Sequence, residues 1–422
     1  MLEIDKGIFA SRFLHLVNIF LHRLEDGRSI HGTYEPGYEA VLDAFQANFE
    51  QYDEVGASAC LTHHGKTVVD LWGGLRDPQT VAAWERDTVS IVYSCTKGAT
   101  ALCAHMLADR GKLDYNARVA DLWPAFSVGG KADTTISMML DHTSPVPHLR
   151  EPIKSGGLVD WEYMVERVAA EAAFWEPGTR QGYHGLTYAW TVGNLVRLVA
   201  GKPLGSYFAE HVAGPLGLDF QIGLPESDER RVAPMIAPNS SEVNFKSKFF
   251  RMATGQAGSL PNLFLTNQGR SDFNLRAFHA AEIGSANGIT NARGLAGMYA
   301  PLANGGGHLV SAETLARMGR VSAATHQDAV LIQPMRFAMG FMASTDNRST
   351  SADSVIFGER GFGHVGMGGS IGFADPEAGI SFGYTMNRMG AGILLNERGQ
   401  ALVDAAYKSL GWRSNATGAW RT

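Results

Sequence analysis

Ile91-Val92-Tyr93-Ser94-Cys95-Thr96-Lys97 is the stretch from which the rest of the chain is read. A short apolar run leads into Ser94, and Ser94 to Arg110 reads as a helix with Gly111 at its C-terminal cap, where glycine is favoured. Leu102, Met106 and Leu107 mark its apolar face. Residues i and i+3 share a helix face, so Lys97 can reach the Ser94 oxygen. A serine hydroxyl is a poor nucleophile until a base takes its proton. Lysine can be that base only where burial or a neighbouring cation lowers its pKa. The positive end of the helix dipole at Ser94 favours negative charge developing there. The spacing alone is also met by a capping serine followed by a surface lysine.

Two further segments carry compatible chemistry. In Pro177-Gly178-Thr179-Arg180-Gln181-Gly182-Tyr183-His184-Gly185, a tyrosine follows a Pro-Gly turn in a loop before a helix. There its hydroxyl can project into a cleft, and a phenol near ammonium groups titrates lower than usual and can relay protons. In Gly363-His364-Val365-Gly366-Met367-Gly368-Gly369-Ser370 the glycines let backbone N–H groups approach a substrate, which supplies an oxyanion donor beside the N–H of Ser94. Gly368 to Gly372 also spells G-x-S-x-G, but that motif needs a helix after its serine. An Asp375-Pro376 turn and a strand-like run follow instead, so Ser370 is not taken as the nucleophile. Cys95 points off the reactive face and is assigned to the core.

Working outward, Ala57–Thr62 and Thr67–Trp72 read as a hairpin turning at His64-Gly65. That reading leaves the His63-His64 pair to a surface turn rather than to a metal. Trp161–Ala173 and Tyr188–Ala200 read as helices, the second stopped by Gly201 and Pro203. Residues 225–266 are poorly periodic and carry Phe245, Phe249, Phe250 and Met252, an excursion expected to wall a substrate pocket. Arg336–Ala343, Gly368–Ala374 and Gly379–Asn387 read as antiparallel strands, and Ala401–Leu410 as a closing helix. Strands at both ends with helices between predict an α+β fold. Its antiparallel sheet is built from both chain ends, flanked by helices, with a mainly helical domain inserted. The expected partition is residues 1–90 and 294–422 for the sheet domain and 91–293 for the helical one, with the active site in the cleft between them.

The order S-x-x-K, tyrosine after Pro-Gly, then a Gly-rich H-x-G strand resembles the serine β-lactamase/penicillin-recognising superfamily. Leu140-Asp141-His142-Thr143-Ser144 is similar to its L-x-H-T-S, and Pro215-Leu216-Gly217-Leu218 to its P-L-G-M. Two departures matter. Tyr183-His184-Gly185 lacks the asparagine of the Y-x-N motif, and His364 stands where K-T-G has lysine; both missing groups help hold an acylamino β-lactam bearing a carboxylate. A mostly neutral histidine is a weaker anion site than lysine. A third, Pro145 after H-T-S, bears on the local loop and not on the chemistry. The pattern most resembles the family VIII carboxylesterases, which share Tyr-His after Pro-Gly and an H-x-G strand followed by Gly-Phe-Ala-Asp-Pro-Glu, here Gly372 to Glu377.

The resemblance implies ester hydrolysis through an acyl-enzyme on Ser94, with Lys97 and Tyr183 as general base and acid in an order left open. It implies an oxyanion hole from the N–H groups of Ser94 and Met367, and substrate contacts from His364, Gly366 and His184. No metal or organic cofactor is called for. β-Lactamase, D,D-peptidase and acyltransferase activities on the same fold are the alternatives, with a non-catalytic binding protein behind them.

Composition narrows the partners. The 422 residues carry 36 Lys+Arg against 42 Asp+Glu, net charge −6, with no basic run. Nucleic acid, which needs clustered cations, is therefore not expected. Three cysteines, Cys60, Cys95 and Cys103, fit a reducing, cytoplasmic setting without disulfides. No segment has the uninterrupted apolar length of a membrane span. The apolar stretch of Met1 to Leu24 is interrupted by Arg12, His15, Asn18 and His22 and lacks a signal-peptide cleavage site. Phe9, Phe13, Val17, Phe20 and Leu24 instead predict an amphipathic helix, open to packing on the body, dimerisation or membrane-surface contact. A small-molecule ester is the expected partner, and a homo-oligomer remains open.

Overall fold

The structure is a computed structural model that describes residues 18–349, 351 and 353–422. In chain order its sheet and principal helices are β1 (Asn18–Arg23), β2 (Ser29–Tyr34), α1 (Glu39–Gln51), β3 (Gly56–His63), β4 (Lys66–Asp77), α2 (Thr96–Asp109), α3 (Tyr188–Ala200), α4 (Lys248–Gly255), α5 (Leu260–Thr266), α6 (Ala292–Ala303), β5 (Ala323–Thr325), β6 (Met335–Ala338), β7 (Phe341–Ala343), β8 (Phe362–Val365), β9 (Ile371–Asp375), β10 (Ile380–Met386) and α7 (Glu397–Ser409). The strands lie in the order β1-β2-β4-β3-β10-β9-β8-β7-β6-β5, every neighbouring pair antiparallel.

The expected hairpin is β3–β4. His64 and Gly65 both have positive φ, +49° and +78°, which matches the twist of a two-residue hairpin loop. β3 then pairs with β10, Ala57 opposite Met386 through His63 opposite Ile380, so the two chain ends share one α+β sheet. Successive residues of a strand face opposite sides. At Gly372 the sheet meets Tyr299 and Leu295 of α6, while the next residue, Phe373, stacks on Tyr407 of α7. Helices therefore cover both faces.

Helix α2 is buried from Thr96 to Leu107 on every side, not on a single apolar face as its sequence suggests. A helix enclosed all round belongs to the centre of a large core. Gly98 permits this, because a Cβ there would lie 2.2 Å from the Tyr299 hydroxyl. Gly111 (φ +67°) and Gly201 (φ +66°) take the left-handed conformation expected where α2 and α3 end.

Three readings are corrected. Asn18–Arg23 is a strand paired with β2, with Ile19 and Leu21 exposed and Phe20 turned to the ring of Tyr34. Pairing with β2 overrides the helical spacing there; the rest of the expected N-terminal helix lies outside the described residues. The Arg336–Ala343 strand is two strands, because Met339 (φ +38°) and Gly340 (φ +95°) reverse the chain. The helix Trp161–Ala170 ends before the expected Ala173, at Glu171 in extended conformation.

Candidate active site

Ser94 sits at the turn before α2, clipped to the segment 287–290. Ser90–Ile91 pairs with Ile289–Thr290, and Val92 N donates to Gly288 O at 2.9 Å. Gly288 N donates to Thr96 Oγ1 at 2.8 Å. These bonds hold Tyr93 at φ +43°, a left-handed backbone that costs a bulky residue about 1–3 kcal/mol and persists only where its surroundings over-determine it. Ser94 is thereby half-exposed at the cleft.

Lys97 is buried, its Nζ 3.0 Å from Ser94 Oγ, 2.8 Å from Gly185 O and 2.9 Å from Ser285 O. Burial holds the amine well below the ordinary lysine pKa. A neutral amine has two N–H groups and one lone pair, and carbonyl oxygens can only accept. In its neutral form the amine can give its two N–H groups to Gly185 O and Ser285 O and turn its lone pair to the Ser94 proton.

Tyr183 is buried with its ring 4.8 Å from Lys97 Nζ. Burial raises its phenol well above the usual range, and the Ser94 side chain, a hydrogen-bonding neighbour, opposes that shift without cancelling it. The lowered phenol expected from nearby ammonium groups is thus corrected, because the neighbouring lysine is itself held towards neutrality.

The N–H groups of Ser94 and Met367 donate to no acceptor among the described residues, and both residues border the cleft. Gly366 acts differently from expectation. A Cβ on it would lie 2.2 Å from both Val92 O and Ser370 Oγ, so its bareness brings the β8 end against the Ser94 turn, and it does not line the cleft. Ser370 is buried, donates to Val92 O at 3.1 Å and precedes a strand, so it is no nucleophile elbow. Cys95 is core, as assigned.

His184 and His364, expected as substrate contacts, are both fully buried and do not border the cleft beside Ser94. Next to Tyr183, His184 turns the other way and is pinned by Gly182 O at 2.8 Å and Ser144 Oγ at 3.0 Å. His364 is fully buried, and its Nδ1 donates to Val365 O at 2.7 Å. Burial brings the pKa of each down to about 3, so neither supplies a cation near neutral pH.

The cleft is narrow, with a cavity volume of about 50 Å³. Tyr93, Leu186, Phe264, Phe273, Met342 and Ile393 wall it, Gln268 adds an amide, and no charged side chain lines it among the described residues. Phe264, on α5 within the excursion, is backed by Phe249 of α4 with ring centroids 5.9 Å apart. A Cβ on Gly185 would lie 2.2 Å from the Phe264 ring. That ring occupies the space an asparagine of a Y-x-N motif would need. Sequence reasoning missed Phe264, and it missed the two carbonyl acceptors of Lys97 because a backbone oxygen leaves no mark on residue type.

A model of the β-lactamase family matches residues 42–407. The chain belongs to the β-lactamase family. It is 34% identical over 374 residues to the esterase/β-lactamase LipL of Mycobacterium tuberculosis, covering 86% of this chain and 84% of that one. Among solved structures of the fold, a family VIII carboxylesterase superposes with TM-score 0.76 at 38% identity, covering 90% of this chain and 99% of the other. A penicillin-binding protein homologue from Caulobacter crescentus gives TM-score 0.79 at 31% identity over the same shares. Within the family's S-x-x-K, tyrosine and H-x-G segments, Ser94, Lys97 and Tyr183 meet in space, while His364 stays behind them. Among the described residues no helix is long and apolar enough to cross a membrane.

Proposed function

We propose that this family member is a carboxylesterase that works through an acyl-enzyme on Ser94. The observation that carries the reading is the Lys97 amine, buried and 3.0 Å from Ser94 Oγ, with two backbone carbonyls to take its N–H groups when it is neutral. The Ser94 proton passes to Lys97 as Oγ attacks the ester carbonyl, and the N–H groups of Ser94 and Met367 receive the oxyanion. Tyr183, which keeps its proton, gives it to the leaving alkoxide and recovers one from Lys97. Water then attacks the acyl-enzyme; one of its protons returns through the same pair to Ser94 Oγ, and the acid leaves. Family VIII and LipL relatives named as esterases support the reaction class.

The substrate is read as a neutral ester with an apolar acyl group, because the cleft walls are apolar and carry no cation for a carboxylate. β-Lactam or D,D-peptide hydrolysis is the second reading, favoured by the names of LipL and the penicillin-binding homologue. Phe264 seated on Gly185 and the uncharged His364 count against it. We read 1–90 with 294–422 as a sheet domain and 91–293 as a helical one, supported by a cleft whose walls come from both. Three free, buried cysteines support a cytoplasmic setting.

Mass spectrometry of protein quenched during turnover of a p-nitrophenyl ester tests the mechanism. The expected result is one acyl adduct on the Ser94 peptide and none in Ser94→Ala; undiminished hydrolysis by Ser94→Ala would overturn it. Higher kcat/KM for a chromogenic cephalosporin than for the ester would favour the second reading.

A further inference from the structure

Tyr183 lies in a segment, residues 177–187, that is neither helix nor strand. Such a segment would ordinarily be the least constrained part of a site. Yet three consecutive peptide N–H groups here are each held from outside it. Gly182 N donates to His142 O, Tyr183 N to Asp328 Oδ1 and His184 N to His142 Nδ1, each at 3.1 Å.

The two residues that receive these bonds come from opposite parts of the chain. His142 follows the short helix Ile136–Leu140 and sits at φ +66°. Asp328 lies between β5 and β6 at the edge of the large sheet. Its Oδ1 also accepts from Val330 N at 2.8 Å and Leu331 N at 2.9 Å, so its own loop orients it. Ala329 N donates to Gln181 O at 3.0 Å, which ties that loop to the tyrosine segment a second time. Ile332, held at φ +59° with its N–H on Asp328 O, closes the loop. A left-handed β-branched residue is a genuine outlier, and such strain persists only where the surroundings impose it.

Asp328 is fully buried and its Oδ2 has no hydrogen-bond partner. Burial of a carboxyl is costly unless its bonds are made, so the contacts of Oδ1 account for its presence. His142 is equally specific. Its Nδ1 accepts from His184 N, which requires a neutral ring with the proton on Nε2. Burial keeps it neutral.

We propose that Asp328 and His142 are positioning residues for Tyr183, clamping the peptide units on both sides of it and so setting where its hydroxyl meets Ser94 and Lys97. The proposal rests on the reading of Tyr183 as the proton donor in ester hydrolysis. Neither residue is a catalytic residue; each acts through the tyrosine backbone.

The test pairs a removing variant with a conserving one. Asp328→Ala deletes the acceptor, and a misplacement of the order of 1 Å can cost about 100-fold in rate. Its expected effect is a fall in kcat of about 10- to 100-fold on p-nitrophenyl butyrate with KM within about threefold of the parent. Asp328→Asn keeps an oxygen at Oδ1 and puts nitrogen where the unpartnered oxygen was, so kcat should stay within about threefold of the parent. If Asp328→Ala does not fold, His142→Leu against His142→Asn carries the same contrast, since asparagine tolerates the left-handed backbone and offers an acceptor. The proposal is overturned if a removing variant keeps its kcat, if the conserving variant falls as far, or if KM rises in step with the loss. Tyr183→Phe separates the two levels. Full activity there removes the reading of Tyr183 itself, whereas an impaired Tyr183→Phe beside a fully active Asp328→Ala removes only the clamp.

Discussion

An uncharged Lys97 must take up a proton when the protein unfolds, and Lys97→Met exposes that proton through its pH dependence. The lysine is buried, with burial holding its pKa well below the ordinary value. Below the ordinary lysine pKa the unfolded chain binds one proton there and the folded chain, above its depressed pKa, binds none. Stability therefore rises with pH across that window, by about 1.4 kcal/mol per pH unit for one such group. Methionine has no proton to exchange. The parent should thus gain on Lys97→Met as pH rises from about 7 to 9, at a slope of at most about 1.4 kcal/mol per pH unit. The variant also leaves Gly185 O and Ser285 O without their donor, at about 1–3 kcal/mol each, but this offset does not vary with pH. Urea unfolding of both proteins at several pH values measures the slope directly. A stability difference independent of pH across that range would mean that Lys97 is an ammonium in the folded state. The lone-pair argument for Ser94 activation would then fail.

Other consequences are testable in the same preparations. Gly185 is not left-handed, so Gly185→Ala is opposed only by the Phe264 ring 2.2 Å from its Cβ, at about 1–3 kcal/mol. Phe264→Ala should relieve that clash; a double-mutant cycle additive within about 0.5 kcal/mol would refute the contact. Arg398→Met strands Glu54, which Arg398 Nη1 meets at 2.6 Å in the core; urea unfolding should register a loss of about 3–5 kcal/mol, and a change under about 1 kcal/mol would show that the pair is not effectively buried. With His184 and His364 both held to about 3, neither ring should contribute a step to kcat/KM near the ordinary histidine pKa of about 6.5. A step there that vanishes in His364→Gln would contradict the buried, neutral ring.

Local rules served well wherever the deciding contacts are local. Ser94 and Lys97 are three residues apart, and one turn of helix brings them together. The β3–β4 hairpin followed from a two-residue turn, and α3 ended at Gly201 as its left-handed cap requires. The N-terminal strand was misread because β2, not helical periodicity, decides its conformation. The burial of His184 was not legible in the sequence, because the residues around a loop tyrosine divide between cleft and core according to what packs behind them, here Ser144 and Gly182.

By itself, then, the sequence determined the identities of the reactive groups, their spacing along the chain and the alternation that builds an antiparallel sheet from both ends. Only the tertiary structure decided their chemical states. Whether Lys97 is a base depends on its enclosure and on carbonyls 88 and 188 residues away. Whether Tyr183 keeps its proton depends on the same burial, and whether His364 is a cation depends on the strand that encloses it. Desolvation is a property of everything that surrounds a group, and no short stretch of sequence contains its own surroundings.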